Sequence, residues 1–219
     1  MSLAVVLANH HHNQVKWSQS IGFEGGAIGT YPDGFDSVAS DGGATIAVST
    51  DAKHSGTNGA AVALAAGGYA MGRITGPSSA TRISGEWWIN RNDLAMGAGE
   101  SHRILSFYNT VVDFTVTKVG ANFVVKGIAY LDSGSQAGDT FNLGTGWHKI
   151  SFSWAAASAA GANNGRLSYS YDGAQVYSIA TLNNDTKSVS EIRVGNPTND
   201  VDAGTSGTYY IDDIKVKYA

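Results

Sequence analysis

A chain of 219 residues is long enough for one self-sufficient hydrophobic core. Its 28 glycines and only 15% charged residues exclude helical bundles and coiled coils, which need Leu, Glu, Lys and Arg. The 14 basic against 18 acidic side chains give a net charge of -4 without a basic run, which argues against nucleic-acid binding by phosphate neutralisation. No cysteine is present to form a disulfide, a thiolate metal site or a nucleophile. No apolar run approaches the ~20 residues of a membrane span.

Residues 1–20 differ from the rest of the chain and are expected to form an N-terminal arm that mediates attachment or oligomer contact. They hold an apolar stretch, Leu3 to Ala8, then His10-His11-His12, and no basic segment that would mark a signal peptide. Adjacent histidines on an extended chain point in opposite directions, so only a symmetric oligomer could turn the triplet into a metal site. From Ile21 to Ala219 one domain is expected. Strand candidates run along Ile46–Val48, Ala61–Leu64, Glu86–Asn90, Arg103–Tyr108, Val111–Val119 and Phe123–Leu131. Further candidates are Trp147–Trp154, Arg166–Tyr171, Gln175–Ile179, Ser190–Val194 and Tyr209–Lys217. Turns separate them, and Asp172-Gly173 is the strongest hairpin signal. The small-residue stretch Ala155–Asn164 reads as a mobile loop. Short strands at this spacing, without a helical period between them, predict an all-β, two-sheet antiparallel jelly-roll sandwich.

The order of several short motifs resembles the concanavalin A-like lectin/glucanase superfamily, including laminin G-like modules. These are Phe23-Glu24-Gly25-Gly26 with Pro32-Asp33-Gly34-Phe35, His54–Gly59, Gly146-Trp147-His148-Lys149, Ser170–Gly173 and Tyr210–Ile214. The resemblance covers about residues 21–218 and implies the sandwich fold. In many relatives it also implies a structural calcium ion near the first and last strands, for which Glu24, Asp212 and Asp213 are the matching acids. The alternative for Asp212 is an acid at the end of a ladder, hydrogen-bonded to a neighbouring loop.

Glycoside hydrolases of this fold carry alternating carboxylates on one strand. The four glutamates, Glu24, Glu86, Glu100 and Glu191, have no acidic neighbour at that spacing, and Asp212 and Asp213, being adjacent, should face opposite sides. Polysaccharide lyases on similar jelly rolls cluster Arg, His, Gln and Tyr; here only His102-Arg103 and Tyr108 match loosely. The aromatic residues point instead to binding. Period two puts Trp87 with Ile89 on a core face, and Trp88 with Glu86 and Asn90 on a polar face that could stack a sugar. Trp147 and Lys149 extend that face; packing under a loop is the alternative for both tryptophans. The expected function is a non-catalytic glycan-binding or adhesive module, extracellular or on a virion surface, whose partners are glycans or other subunits of an oligomer. A secreted carbohydrate-active enzyme, or its accessory binding domain, is the rival.

Overall fold

The computed structural model describes residues 17–199 and 201–219, and among these the regular structure is entirely β. The strands in chain order are β1 (Trp17–Ile21), β2 (Ser37–Asp41), β3 (Thr45–Ser49), β4 (Gly59–Leu64) and β5 (Tyr69–Ala80). Next come β6 (Arg82–Asn90), β7 (Ser101–Phe107), β8 (Val112–Val119), β9 (Asn122–Tyr130) and β10 (Ser135–Asn142). The chain closes with β11 (Trp147–Ala155), β12 (Gly165–Tyr171), β13 (Ala174–Leu182), β14 (Val189–Asn196) and β15 (Gly207–Tyr218).

Two antiparallel sheets form a jelly-roll sandwich. The eight-stranded sheet runs β13-β12-β11-β6-β15-β4-β3, with β1 also pairing β15. The seven-stranded sheet runs β10-β9-β8-β7-β14-β5-β2. The long β15 meets β4 along Gly207–Ile211 and β1 along Ile214–Tyr218, so two short strands share one edge of it. At Asp172-Gly173 both residues have positive φ (49° and 83°), the backbone of a type I′ turn, which joins β12 to β13.

Alternation drives the layering. In β9, Phe123, Val125, Gly127 and Ala129 are buried, whereas Val124, Lys126, Ile128 and Tyr130 are only half-buried on the outward face. Rings from the two sheets meet in the core: Trp87 of β6 lies edge-on to Phe114 of β8 at 5.4 Å, and Phe152 of β11 is 5.0 Å from Phe107 of β7. These side chains fix the separation of the sheets, and with it the two outward faces on which ligands can act.

Every strand expected from the sequence is present. The strands that were not expected are β1, β2, β5 and β10. The domain boundary moves accordingly: Trp17–Ser20 belongs to the ladder on β15, so the expected arm is shortened at its C-terminal end. The rest of the arm, with His10–His12, lies outside the described residues. The stretch Ala155–Asn164 is tied down rather than free. Ala157 N donates to the buried Asn184 Oδ1 at 2.8 Å, and Ser158 N donates to Asn164 Oδ1 at 2.9 Å.

Candidate functional site

The residues singled out on the polar face of β6 and β11 do come together. Lys149 lies opposite Trp88 and Trp147 opposite Asn90, with Ser151 opposite Glu86, all on the outward face of the eight-stranded sheet. Trp87, on the other side, is 1% exposed, as the alternation requires. Trp88 is half-buried but covered. The His54 imidazole stacks on it with ring centroids 3.7 Å apart and planes 15° apart, and Trp147 meets the same imidazole edge-on at 5.5 Å. Glu86 is held by Lys215 at 3.0 Å and Lys149 at 3.6 Å. The Lys215 hydrogen bond is the main reason its carboxyl sits below the usual range. Packing under a loop, the alternative for the tryptophans, is what the structure shows for Trp88.

The expected calcium acids flank that loop. Glu24 accepts hydrogen bonds from the Thr57 amide (3.0 Å), the Thr57 hydroxyl and the Asn58 amide (3.4 Å). Asp212 Oδ2 accepts from His54 N at 2.8 Å and Ser55 N at 3.1 Å. Asp213 and Asp212 were expected on opposite faces; instead both reach residues 54–55. A bulge in β15 between Asp212 and Lys215, with Asp213 at φ 48°, resets the alternation. Asp213 thereby meets His54 Nδ1 at 2.7 Å and the Ser55 hydroxyl at 2.9 Å. Asp212 is fully buried, and desolvation pushes its carboxyl above the usual range against the lowering by backbone amides. Among the described residues no group of three or more His, Asp or Glu is placed to hold a metal. The donor chemistry, oxygen-only and net negative, suits a hard cation. The amides of residues 54–58 now satisfy Glu24 and Asp212, so a cation would require that segment to turn carbonyls inward.

A second constellation, which sequence reasoning did not assemble, lies on the outward face of the seven-stranded sheet. Strand register places Arg73 of β5 opposite Arg193 of β14, Arg193 opposite Ser106 of β7, and Ser106 opposite Asp113 of β8. In the neighbouring row, Arg103 of β7 lies opposite Thr115, and Thr115 opposite Lys126. Directly opposed arginines repel unless a carboxylate intervenes. Glu191 does so: it is 2.6 Å from Arg193 Nε and 4.0 Å from Arg73 Nε. The Arg193 guanidinium also lies 4.3 Å from the centre of the Tyr108 ring, a cation–π contact.

Asp113 organises the other end. Although outward-facing, it is 3% exposed, with Arg103 Nε and the Tyr130 hydroxyl each 2.8 Å from its Oδ2. Burial, then Asp113 itself, keeps the Tyr130 phenol above its ordinary value, so it is neutral near pH 7. Three buried polar atoms on this face, Arg73 Nε, Asp113 Oδ1 and Thr115 Oγ1, have no hydrogen-bond partner. A recess of about 290 Å³ opens here, lined by Arg103, Ser106, Tyr108, Asp113, Tyr130 and Arg193 among others. Chemically, the recess presents a neutral phenol and two guanidinium groups held in place by Asp113 and Glu191, an arrangement suited to an anionic, hydroxyl-rich ligand. Of the loosely matching trio, Arg103 and Tyr108 join this site. His102 does not: it turns inward, 1% exposed and 6.0 Å from the Tyr209 ring. Alternation marks Arg103, Asp113 and Arg193 as outward, but strand adjacency alone brings them together.

No protein-family model matches the sequence, and no curated protein matches it either. Solved structures do match in fold. An endo-β-1,4-glucuronan lyase from the fungus Trichoderma reesei superposes with a TM-score of 0.64 at 14% identity, covering 93% of this chain and 95% of that one. The alginate lyase Aly36B gives 0.65 at 13% identity, over 91% and 96% of the two chains. The binding domain of botulinum neurotoxin DC, in complex with SialylT, gives 0.59 at 10% identity over 91% of this chain and 47% of that one. The chain therefore has the concanavalin A-like jelly-roll fold, as its motif order implied.

Proposed function

We propose that this protein binds an acidic polysaccharide, a chain of uronic acid units, across the outward face of the seven-stranded sheet. The observation that carries the reading is the convergence of Arg73, Arg103 and Arg193, three cations against the two carboxylates Asp113 and Glu191, on one face of a protein whose net charge is -4, with Arg103 and Arg193 lining the recess. Arginine forks match carboxylates in geometry, and charge-assisted hydrogen bonds are the strong ones. The fold neighbours named for glucuronan and alginate support the ligand class. Affinity electrophoresis in polyglucuronate or alginate against a neutral glucan tests it. Retardation is expected in the acidic polymers only, and Arg193→Ala should weaken binding about 10–100-fold. Equal retardation in the neutral glucan refutes the reading.

A catalytic version is favoured by Tyr130. Lyase chemistry needs the uronate carboxylate neutralised, a base to take the proton from the adjacent carbon, and a donor for the leaving oxygen. The neutral Tyr130 phenol lines the recess and supports the donor role. Its hydroxyl now donates to Asp113, the one carboxylate among the described residues lining the recess, which would have to take the proton from the carbon as Tyr130 gives its own to the leaving oxygen. Ultraviolet absorbance from an unsaturated uronate product, lost in Tyr130→Phe, would establish it. Its absence with every uronic acid polymer leaves the non-catalytic module expected from the sequence. A structural calcium ion at Glu24, Asp212 and Asp213 is proposed separately, on the three carboxylates that flank residues 54–58, with that segment turning carbonyls inward in place of the amides it now offers. Calcium should then raise the melting temperature by mass action, and an unchanged melt with and without a chelator refutes it.

A further inference from the structure

The opposite face of the sandwich carries a groove that neither the tryptophan cluster nor the arginine row uses. It encloses about 680 Å³ on the outward side of the eight-stranded sheet, and Arg82, Arg166 and Lys217 line it. No aspartate or glutamate side chain lines it. None of the three cations forms an ion pair among the described residues, in contrast to Lys149 and Lys215 farther along the same face, which Glu86 engages.

The groove is built by register. Ala155 of β11 lies opposite Arg82 on one side and Arg166 on the other. The two arginines are thus two strand spacings apart, ~10 Å between Cα atoms, and project from the same face. The next row reads Ser168, Ser153, Ser84, Lys217 across β12, β11, β6 and β15. Of this row, Ser153, Ser84 and Lys217 line the groove. Residues Ala156–Ser158 and Asn164 form the wall, held by the hydrogen bonds that the Asn184 and Asn164 side chains accept. The low-complexity stretch of the sequence therefore serves as a fixed rim. Arg82 lies ~10 Å from Arg166 and ~8 Å from Lys217, while Arg166 and Lys217 are three strand spacings, ~14 Å or more, apart. The repulsion centred on Arg82 is relieved by a bound anion.

We infer that this groove is a second attachment site for an acidic polysaccharide, with Arg82, Arg166 and Lys217 receiving carboxylate or sulfate groups and the serine row meeting sugar hydroxyls. It shares with the arginine-row site only the ligand class and none of the residues. A sugar polymer is favoured over a nucleic acid because no aromatic face is offered for bases: Trp154 and Tyr218, the rings at the groove, are 1% and 0% exposed. Two sites on opposite faces of one domain would let a long chain be held at a distance from the arginine row, or let two chains be bridged, raising retention through effective concentration.

The test uses the full chain in affinity electrophoresis with long polyglucuronate and with a sulfated glycan, beside short uronate oligosaccharides that fill one site only. The variant Arg82→Ala/Arg166→Ala/Lys217→Ala should lose about tenfold in retention by the long polymers, the size expected from three solvent-exposed ion pairs. Binding of the oligosaccharides at the arginine row should persist. The charge-keeping variant Arg82→Lys/Arg166→Lys should retain most of the retention. Should the triple variant not melt cooperatively, the single Arg166→Ala is measured instead and must show a smaller loss in the same direction. Loss in the groove variant while Arg193→Ala is silent would support this site and sink the arginine-row reading. Unchanged retention of the groove variant overturns the inference, and so does displacement of the polymer by single-stranded DNA at equal charge concentration.

Discussion

Asp113→Asn tests whether the arginine row is a preorganised site or a set of solvated charges. The substitution keeps the shape of the side chain but removes the anion that Arg103 Nε and the Tyr130 hydroxyl both approach at 2.8 Å. The amide oxygen can meet both donors where Oδ2 does now, but without the negative charge, and the new NH2 group takes the place of the buried Oδ1, which has no hydrogen-bond partner. Removing one partner of a fully buried ion pair costs ~3–5 kcal/mol. Here the Arg103 side chain is 31% exposed, so water recovers part of that loss, and about 2 kcal/mol is expected. A second readout is specific to the geometry. Two causes of the raised Tyr130 pKa come from Asp113, whereas burial, the largest, remains. The phenol should therefore titrate lower in the variant than in the parent. Urea unfolding measures the first effect, and tyrosinate absorbance, differenced against Tyr130→Phe, measures the second. An unfolding free energy within ~0.5 kcal/mol of the parent, together with an unmoved Tyr130, would show that the cluster is solvated and refute the preorganised site.

Three other outcomes are expected. Trp87→Ala should destabilise by about 3–5 kcal/mol as a core cavity, whereas Trp88→Ala, on the half-buried face, should cost less and free the His54 ring; equal losses would refute the difference in their roles. Truncation to residue 16 should leave cooperative melting intact, while deletion of residues 1–20 removes most of β1, uncovers the edge of β15 and should lower the melting temperature; identical melts would refute the pairing. Tyr169, Tyr209 and Tyr218 all have phenols raised chiefly by burial, Tyr169 to about 12. In the unfolded chain they ionise near ~10, so the folded state holds the extra protons and stability should fall as pH rises above ~10. A flat stability profile from pH 9 to ~12 would contradict their burial.

The layered fold was legible because alternation is a local property. Wherever a strand has one buried face, as in β6, β9 and β11, its apolar positions mark themselves two residues apart. The unexpected strands lack that signature for identifiable reasons. β10 is an edge strand with mostly exposed residues. β5 contains Gly76, Pro77 and consecutive serines, and its pairing to β14 is irregular across that stretch. β1 and β2 are short, and each pairs along one side only.

The sites divide in the same way. That Trp87 faces inward and Trp88 outward follows from period two, and the structure agrees. What covers Trp88 does not follow, because His54 lies 34 residues away along the chain and arrives through the loop that Asp212 and Asp213 hold. One backbone bulge in β15 is enough to turn both acids toward that loop, and no local rule at this pair predicts it. The arginine row depends even more on topology. Arg73, Arg103 and Arg193 come from β5, β7 and β14, which are neighbours only because the jelly roll inserts β14 between two strands from the first half of the chain. Side-chain direction is set residue by residue, but adjacency is set by hydrogen bonding between distant segments. The chain's own pattern thus determined which residues point outward, and only the tertiary structure decided which of them share a surface.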